Sequence, residues 1–340
     1  MNDDKIRQAL ARRRNIQPEH GIRVPLDEME SFITALFVRA GLREDDAGLM
    51  GRLLSANDLR CVFSHGTLAV GQYLHHLREG GINPRPEIKT VHEAPGSLVL
   101  DGDGGLGYFP CWRGTERIVA KAKETGCAVL TTRNHHHFGS AGHYARLAVE
   151  HGCIGLVASN HRTERDPEVS IYSTVTSSPI SIAIPSGGQP PFIMDMGSAL
   201  LRMDDEAFAA NPGAFFKGMG LSNAVQLLGG AVAGIYLQHC VQGQYISNQG
   251  AFVAVFDADR LMPPGQVGEE VGRYVGEARK MQPLPGTDAA ELSGGTEWSW
   301  EQENRKAGVP LDDDHRAALE RHGAEWGVES PFGRFEDTRF

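Results

Sequence analysis

AKETGCAVLTTRNHHHFGSAGHYARLAVEHGCIGLVASN, residues 122–160, is the stretch whose pattern decides the fold. CAVLTTRN (127–134) and CIGLVASN (153–160) are short apolar runs of strand length, and GSAGHYARLAVEHG (139–152) between them carries helical spacing. A further helical stretch, RGTERIVAKAKETG (113–126), leads in. Strands apolar on both faces that alternate with helices predict an α/β layer, with these two strands as a parallel pair. The carboxyl end of such a strand is where α/β proteins bind ligands, which draws attention to Asn134, His135, His136 and His137.

Upstream, LDEMESFITALFVRAG (26–41) and EDDAGLMGRLLSANDLR (44–60) place apolar residues every three to four positions and predict two amphipathic helices. LAVGQYLHHLREGG (68–81) predicts a third, ending on a glycine pair, so the chain is expected to be helical to that point. IKTVHEAPGSLVLDGDGG (88–105) predicts strand, turn and strand. SPISIAIP, PFIMDMG and AFVAVFDAD are further strands; KGMGLSNAVQLLGGAVAG, GQVGEEVGRYVGEARKM and DDDHRAALERHGAEWG are helices. PLPGTDAAELSGGTEW (283–298) combines Pro, Gly and small polar residues, as a flexible connection does. The expected parts are a polar tail (1–20), a helical part (21–85), a central α/β domain (86–235) and a C-terminal α/β part (236–340) packing back on the helical one.

The formal charge of -10 leaves no basic surplus to neutralise phosphates and argues against a general nucleic-acid binder. No window reaches the roughly 18 apolar residues of a membrane span, and the opening residues lack a secretory apolar centre, so a cytoplasmic protein is expected. Arg12, Arg13 and Arg14 read as a solvated tail. Cys61, Cys111, Cys127, Cys153 and Cys240 contain no C-x-x-C pair, against both a disulfide framework and a structural zinc site. DGDGGLG (101–107) follows a strand without the helix-opening context of the dinucleotide fingerprint and reads as a turn, so a standard Rossmann domain is not expected.

Three constellations carry chemistry. In Asp58-Leu59-Arg60-Cys61-Val62-Phe63-Ser64-His65-Gly66, His65 can exchange a proton near neutral pH, Arg60 offers a planar fork for a carboxylate, and Ser64 could hold a substrate oxygen. The same SHG is also a plausible helix-ending turn. Three adjacent histidines, 135–137, invite a metal, but successive side chains diverge and no partner completes a ligand set; His135 and His136 then read as a surface run. Asp195, ending an apolar strand, could orient a histidine or cap the next helix. Lys217-Gly218 opens the glycine-rich helix, where an anion could be met or a lysine simply solvated.

The order of these landmarks resembles the malate/L-lactate dehydrogenase type-2 family of nicotinamide-dependent oxidoreductases. The likeness runs from IRVPLDEMESFITALFVRAGLREDDAGLMGRLLSANDLRCVFSHG through GGINPRP, LVLDGDGGLGYF and residues 122–160 to PISIAIP, FIMDM, KGMGL and GGTEWSWEQENRKAGVPL, nearly the whole chain after residue 20. It implies a non-Rossmann α/β fold, with a helical N-terminal part and a large mixed central cofactor domain, in a homodimer that binds NAD or NADP. By that resemblance His65 protonates the carbonyl oxygen during hydride transfer, Arg60 clamps the substrate carboxylate, Ser64 contacts substrate, Asp195 supports the catalytic histidine, and His137 is a second proton acceptor or substrate ligand. Asn134, Ser159, Asn160, Ser177, Ser178, Lys217, Gly295 and Thr296 are the positions it assigns to the cofactor. The substrates implied are small 2-oxo acids, 2-hydroxy acids and cyclic imino acids, with no metal, nucleic acid or membrane partner.

The departures gather on the cofactor side. Thr176-Ser177-Ser178-Pro179 stands for the family's Gly-Thr-Asn-Pro, only 22 positions separate Asp195 from Lys217 where the family has a longer segment, and Gly294-Gly295-Thr296 replaces its Pro-Gly-Glu. A non-redox acid/base enzyme (lyase, hydrolase or cyclase) on the same scaffold is therefore the second expectation.

Overall fold

The structure, a computed structural model, describes residues 15–340. Arg12, Arg13 and Arg14 lie outside the described residues. The chain divides into two compact units, one of residues up to 85 together with 273–340, the other of residues 86–272.

The first unit begins with strand β1 (Ile22–Val24) and continues with helices α1 (Leu26–Arg39), α2 (Glu44–Leu59) and α3 (Val70–Arg78). α1 buries Met29, Phe32, Ile33, Leu36 and Phe37, the stripe that its three-to-four spacing encodes. α2 opens on Glu44, Asp45 and Asp46, whose charges suit a helix N-terminus. It stops where Cys61 turns left-handed at φ 56°; two short 3-10 turns, Phe63–His65 and Thr67–Ala69, then lead into α3.

The second unit is built on one sheet. Its strands are β2 (Lys89–Ala94), β3 (Ser97–Asp101), β4 (Cys127–His135), β5 (Cys153–His161), β6 (Pro179–Ile184), β7 (Phe192–Gly197) and β8 (Gln249–Asp257), in the order β2-β3-β4-β8-β5-β6-β7. Its helices are α4 (Tyr108–Thr125), α5 (Ala141–Glu150), the short α6 (Asp205–Ala210), α7 (Pro212–Gln226), the short α8 (Gln238–Val241) and, leading out of the unit, α9 (Gln266–Ala278). β4 and β5 are not the parallel pair expected: β8 lies between them and is antiparallel to both. The reason is the apolar face of β8, whose Ala251, Val253 and Val255 join Leu130 of β4, Val157 of β5 and Tyr144 of α5 in one core. Among the described strands only β3 and β4 run parallel as neighbours. Because β8 occupies the middle of the sheet, this unit extends to residue 272 and not to 235.

The chain then returns to the first unit through α10 (Gly295–Ala307), β9 (Val309–Leu311) and α11 (Asp313–Trp326). β9 pairs antiparallel with β1, so the opening is not wholly helical. The flexible connection expected over 283–298 ends in the first turn of α10. Among the described residues no helix is long and apolar enough to cross a membrane.

DGDGGLG does precede a helix, contrary to expectation, since α4 starts at Tyr108 directly after Gly107. It is nevertheless packed against its own chain. A Cβ at Gly104 would meet Tyr245 at 2.3 Å and one at Gly105 would meet Pro86 at 2.5 Å, which leaves no cradle for a pyrophosphate.

Candidate functional site

The end of α2 fixes the SHG turn from beneath. Asn57 Nδ2 donates to the His65 carbonyl (2.9 Å), while Asp58 accepts the Thr67 N–H on Oδ1 (3.1 Å) and the Thr67 hydroxyl on Oδ2 (2.5 Å). Gly66 is required here, because a Cβ would stand 1.8 Å from Asp58 Oδ1. On this support Ser64 is exposed and His65 half-buried, with Ser64 Oγ 3.0 Å from His65 Nδ1.

A residue missed by sequence reasoning completes the pair. Asn15 Oδ1 accepts the Ser64 N–H and its Nδ2 donates to Ser64 Oγ, both at 3.1 Å. With Oγ accepting from the Asn15 amide, its contact with Nδ1 runs either way: the hydroxyl donates to a bare Nδ1, or a protonated Nδ1 donates to the second lone pair of Oγ.

Arg60 departs from the open clamp expected of it. Its side chain is buried, and its fork is taken by Glu301 of α10, Nε to Oε2 at 2.7 Å and Nη2 to Oε1 at 2.9 Å. Arg305 adds a second cation to the same carboxylate at 2.6 Å. Burial, the largest influence, pushes the Glu301 carboxyl up; Arg60 and then Arg305 overcome it and hold it below the usual range. The sequence signal was faint, as the two partners are 241 positions apart.

In the second unit Asp195 caps α5, the helix before it in sequence rather than the one after. Its Oδ2 accepts from Ser140 Oγ (2.6 Å) and from the Gly142 N–H (2.9 Å). His65 and Asp195 belong to different units.

His135 and His136 are buried, not a surface run. His135 lies between the Thr132 hydroxyl (2.9 Å from Nε2) and the His136 carbonyl (2.7 Å from Nδ1), which satisfies both ring nitrogens, and burial pushes its pKa down to about 4. His137 is half-buried, its carbonyl accepting from the Gly107 N–H. Asn134, left-handed at φ 54°, donates to Asp101 (2.7 Å), which also meets His239 Nε2 at 3.1 Å. Among the described residues no group of three His, Cys, Asp or Glu side chains could hold a metal ion.

The residues assigned to a cofactor fall into two layers. Ser159, Asn160 and Ser178 are buried and engaged within the protein: Ser159 Oγ donates to the Gly250 carbonyl, and Ser178 Oγ donates to Asn160 Oδ1 (2.7 Å). The π-helical turn Leu227–Val232 lies on them, Gly229 so closely that a Cβ would come 2.4 Å from Ser159 Cα. Ser177, Lys217 and Thr296 are exposed. Lys217 sits in the second turn of α7 and does not open it, since Asn211 caps that helix and Pro212 begins it. Gly295 begins α10 behind a left-handed Gly294. Within the second unit an ammonium (Lys217) and a hydroxyl (Ser177) are donor types that a dinucleotide's phosphates and ribose take, and the buried Ser178–Asn160 bond fixes the segment that carries Ser177.

A mixed seven-stranded sheet, with its glycine-rich turn packed against its own chain, sets the second unit apart from the Rossmann class, and the first unit carries a serine–histidine pair on a pinned turn. The chain belongs to the malate/L-lactate dehydrogenase family, whose profile matches residues 24–205 and 202–320. It is an NAD(P)-dependent dehydrogenase or reductase of that family. The chain is similar to malate dehydrogenase of Pyrococcus horikoshii, with 28% identity over 344 residues covering 89% of this chain and 94% of the relative. To L-sulfolactate dehydrogenase of Methanocaldococcus jannaschii it is 34% identical over 184 residues, 54% of this chain and 51% of the relative. The solved structure of malate dehydrogenase from Pyrococcus horikoshii OT3 superposes with a TM-score of 0.79 at 28% identity, covering 93% of this chain and 98% of that one. Asn15 precedes the first residue of the family match.

Proposed function

We propose that the protein reversibly reduces a small 2-oxo acid, or a cyclic imino acid, to the corresponding 2-hydroxy or amino acid, with His65 as the proton donor and acceptor. The observation that carries this is the Ser64 Oγ–His65 Nδ1 bond of 3.0 Å on a turn pinned by Asn57 and Asp58. It engages Nδ1 and assigns proton exchange to Nε2. When bound, NADH or NADPH supplies the hydride that reaches the carbonyl carbon. Protonated on both nitrogens, with Nδ1–H donating to Ser64 Oγ, His65 gives its Nε2 proton to the carbonyl oxygen as that oxygen gains charge; the neutral Nδ1–H ring left behind takes the proton back in the oxidation direction. Ser64 orients the ring and contacts substrate.

Arg60 acts in this scheme by holding the α2 terminus to α10 through Glu301, and the substrate's acid group is met elsewhere. His137 and Asp195 are assigned to the substrate side of the second unit; Asn134, Ser177 and Lys217 of that unit and Gly295 and Thr296 of the first are assigned to the cofactor, with Ser159, Asn160 and Ser178 as buried support for Ser177. The names of the relatives, a malate and a sulfolactate dehydrogenase, favour a 2-hydroxy acid with a second anionic group. A homodimer working in the cytoplasm is part of the same proposal.

The test is turnover of a panel of 2-oxo and cyclic imino acids with NADH and NADPH by the wild type and His65→Ala. Loss of about 100-fold or more in kcat for the accepted substrate is expected, the usual contribution of a positioned acid/base. Equal turnover by the variant removes His65 from the mechanism.

A further inference from the structure

Beneath the SHG turn the Asp58 pin continues into a buried hydrogen-bonded chain that ends at His315, which neither the family assignment nor the proposed mechanism uses. Asp58 is wholly buried at the end of α2, Thr67 is wholly buried one residue after Gly66, and His315 is buried in the first turn of α11. The Thr67 hydroxyl stands between the other two, 2.5 Å from Asp58 Oδ2 and 2.8 Å from His315 Nε2. One hydroxyl proton thus faces two possible acceptors, and the choice sets the polarity of the whole chain.

We propose that Asp58, Thr67 and His315 form a two-direction relay whose charged setting positions the Ser64–His65 turn, with Asp58 and Thr67 as positioning residues. With Asp58 ionised, its two oxygens accept both the N–H and the hydroxyl of Thr67. The Thr67 oxygen can then only accept, so His315 is neutral with its proton on Nε2. With Asp58 protonated on Oδ2, the carboxyl donates to Thr67 Oγ1, the hydroxyl turns to donate to His315 Nε2, and the histidine proton moves to Nδ1. Keeping the old tautomer would leave the hydroxyl proton without an acceptor in a buried site, which burial makes costly. Each setting satisfies the Asp58–Thr67 and Thr67–His315 Nε2 contacts, which makes the relay a device with two states.

The ionisable neighbours limit what can disturb it. Burial is the main influence on Asp58 and raises its pKa to about 7, with the two Thr67 bonds opposing. Burial likewise pushes His315 down to about 3, so the ring stays neutral in either setting. The Cys61 thiol, raised to about 12 by burial first, with Asp58 among its lesser contributors, also stays neutral. The relay therefore changes direction as one carboxyl titrates near neutral pH, and the charged setting grips the turn that carries Ser64 and His65 with both carboxylate oxygens. Its catalytic consequence rests on His65 being the acid/base; its tautomer consequence does not.

The experiment uses the full chain with 15N-labelled histidine. In wild type at pH 8.5 the protonated ring nitrogen of His315 is expected to be Nε2, and on titration to pH 5.5 the protonated nitrogen becomes Nδ1 with the ring still neutral. Asp58→Asn, whose amide donates toward Thr67 Oγ1, is expected to show the Nδ1 tautomer at both pH values. An unchanging wild-type tautomer, or an Asp58→Asn protein with the wild-type pattern at pH 8.5, overturns the relay.

A kinetic arm reads the positioning. With the substrate accepted by the wild type, Thr67→Val is expected to lose about tenfold in kcat with KM within about twofold, and Thr67→Ser to recover most of it. Equal kcat for Thr67→Val and Thr67→Ser refutes the positioning role. If His65→Ala keeps full turnover, the proposed mechanism fails while the tautomer result still decides the relay.

Discussion

Arg60→Met separates a structural cation from a substrate clamp, and the structure fixes the size of the effect. Side-chain exposures of 8% for Arg60 and 11% for Glu301 place the pair out of water. Removing one partner of a buried pair costs roughly 3–5 kcal/mol, because the other charge is left behind. Arg305, 48% exposed, still touches Glu301 and brings the expectation to the lower end, about 3 kcal/mol at pH 8.

The pH dependence follows from the sign of each shift. In wild type the Glu301 carboxyl is held below its usual range, so its contribution is present above the unfolded pKa and is lost only as the medium becomes more acid than that. In the variant burial dominates and the carboxyl rises. The folded variant then takes up a proton before the unfolded chain does, and it recovers up to roughly 1.4 kcal/mol per pH unit on acidification. Urea unfolding at pH 8 and pH 5 should therefore show a smaller gap between wild type and variant at pH 5. Arg60→Met/Glu301→Leu should regain most of the loss, since an apolar pair of similar volume is often neutral. In the folded variant KM for the accepted substrate should change less than about threefold, whereas loss of a charged fork on substrate costs about 1.5–3 kcal/mol, or roughly 10- to 100-fold. A KM rise of that size with unchanged unfolding free energy refutes the structural assignment.

Other positions give equally direct expectations. Gly66→Ala drives a Cβ into Asp58 Oδ1 at 1.8 Å and should cost about 3 kcal/mol or more in urea unfolding; a loss below about 1 kcal/mol would mean that the turn is not pinned as described. Asp195→Ala removes the acceptor for Ser140 and Gly142 and should destabilise by about 1–2 kcal/mol, as the loss of a helix cap does; an unchanged urea midpoint would show the cap to be inert. His135, pushed down to about 4, is neutral in the fold while the unfolded ring titrates near 6.5, so stability falls as pH drops from about 6.5 toward 4. By pH 5 that amounts to roughly 2 kcal/mol, which His135→Gln should abolish; a variant with the wild-type pH slope contradicts the neutral ring.

Local patterns made α1, α2 and the strands of the sheet legible, because three-to-four spacing and short apolar runs report how each segment meets a core. The position of β8 was not legible. Its insertion pairs Cys127 with Phe256 and Cys153 with Asp257, contacts no local window contains. The same limit hid the partner of Arg60: the fork's chemistry was plain, but which carboxylate fills it depends on a helix near the other end of the chain. His135 misled through its polarity, since Thr132 and a backbone carbonyl meet its needs inside the fold. Asp58 stood in the motif unassigned, and its meaning came only with Thr67 and His315 around it.

The central claim is that hydride and proton meet on one carbonyl with His65 as the proton's source. Incubating the enzyme with a 2-oxo acid and NADH or NADPH carrying two deuteriums at nicotinamide C4, and reading the product by mass spectrometry and NMR, tests it most directly. The account predicts one deuterium at C2 of the 2-hydroxy acid, with formation all but lost in His65→Ala. A product without deuterium at C2, or one formed with no nicotinamide consumed, contradicts it and leaves the non-redox acid/base enzyme in its place.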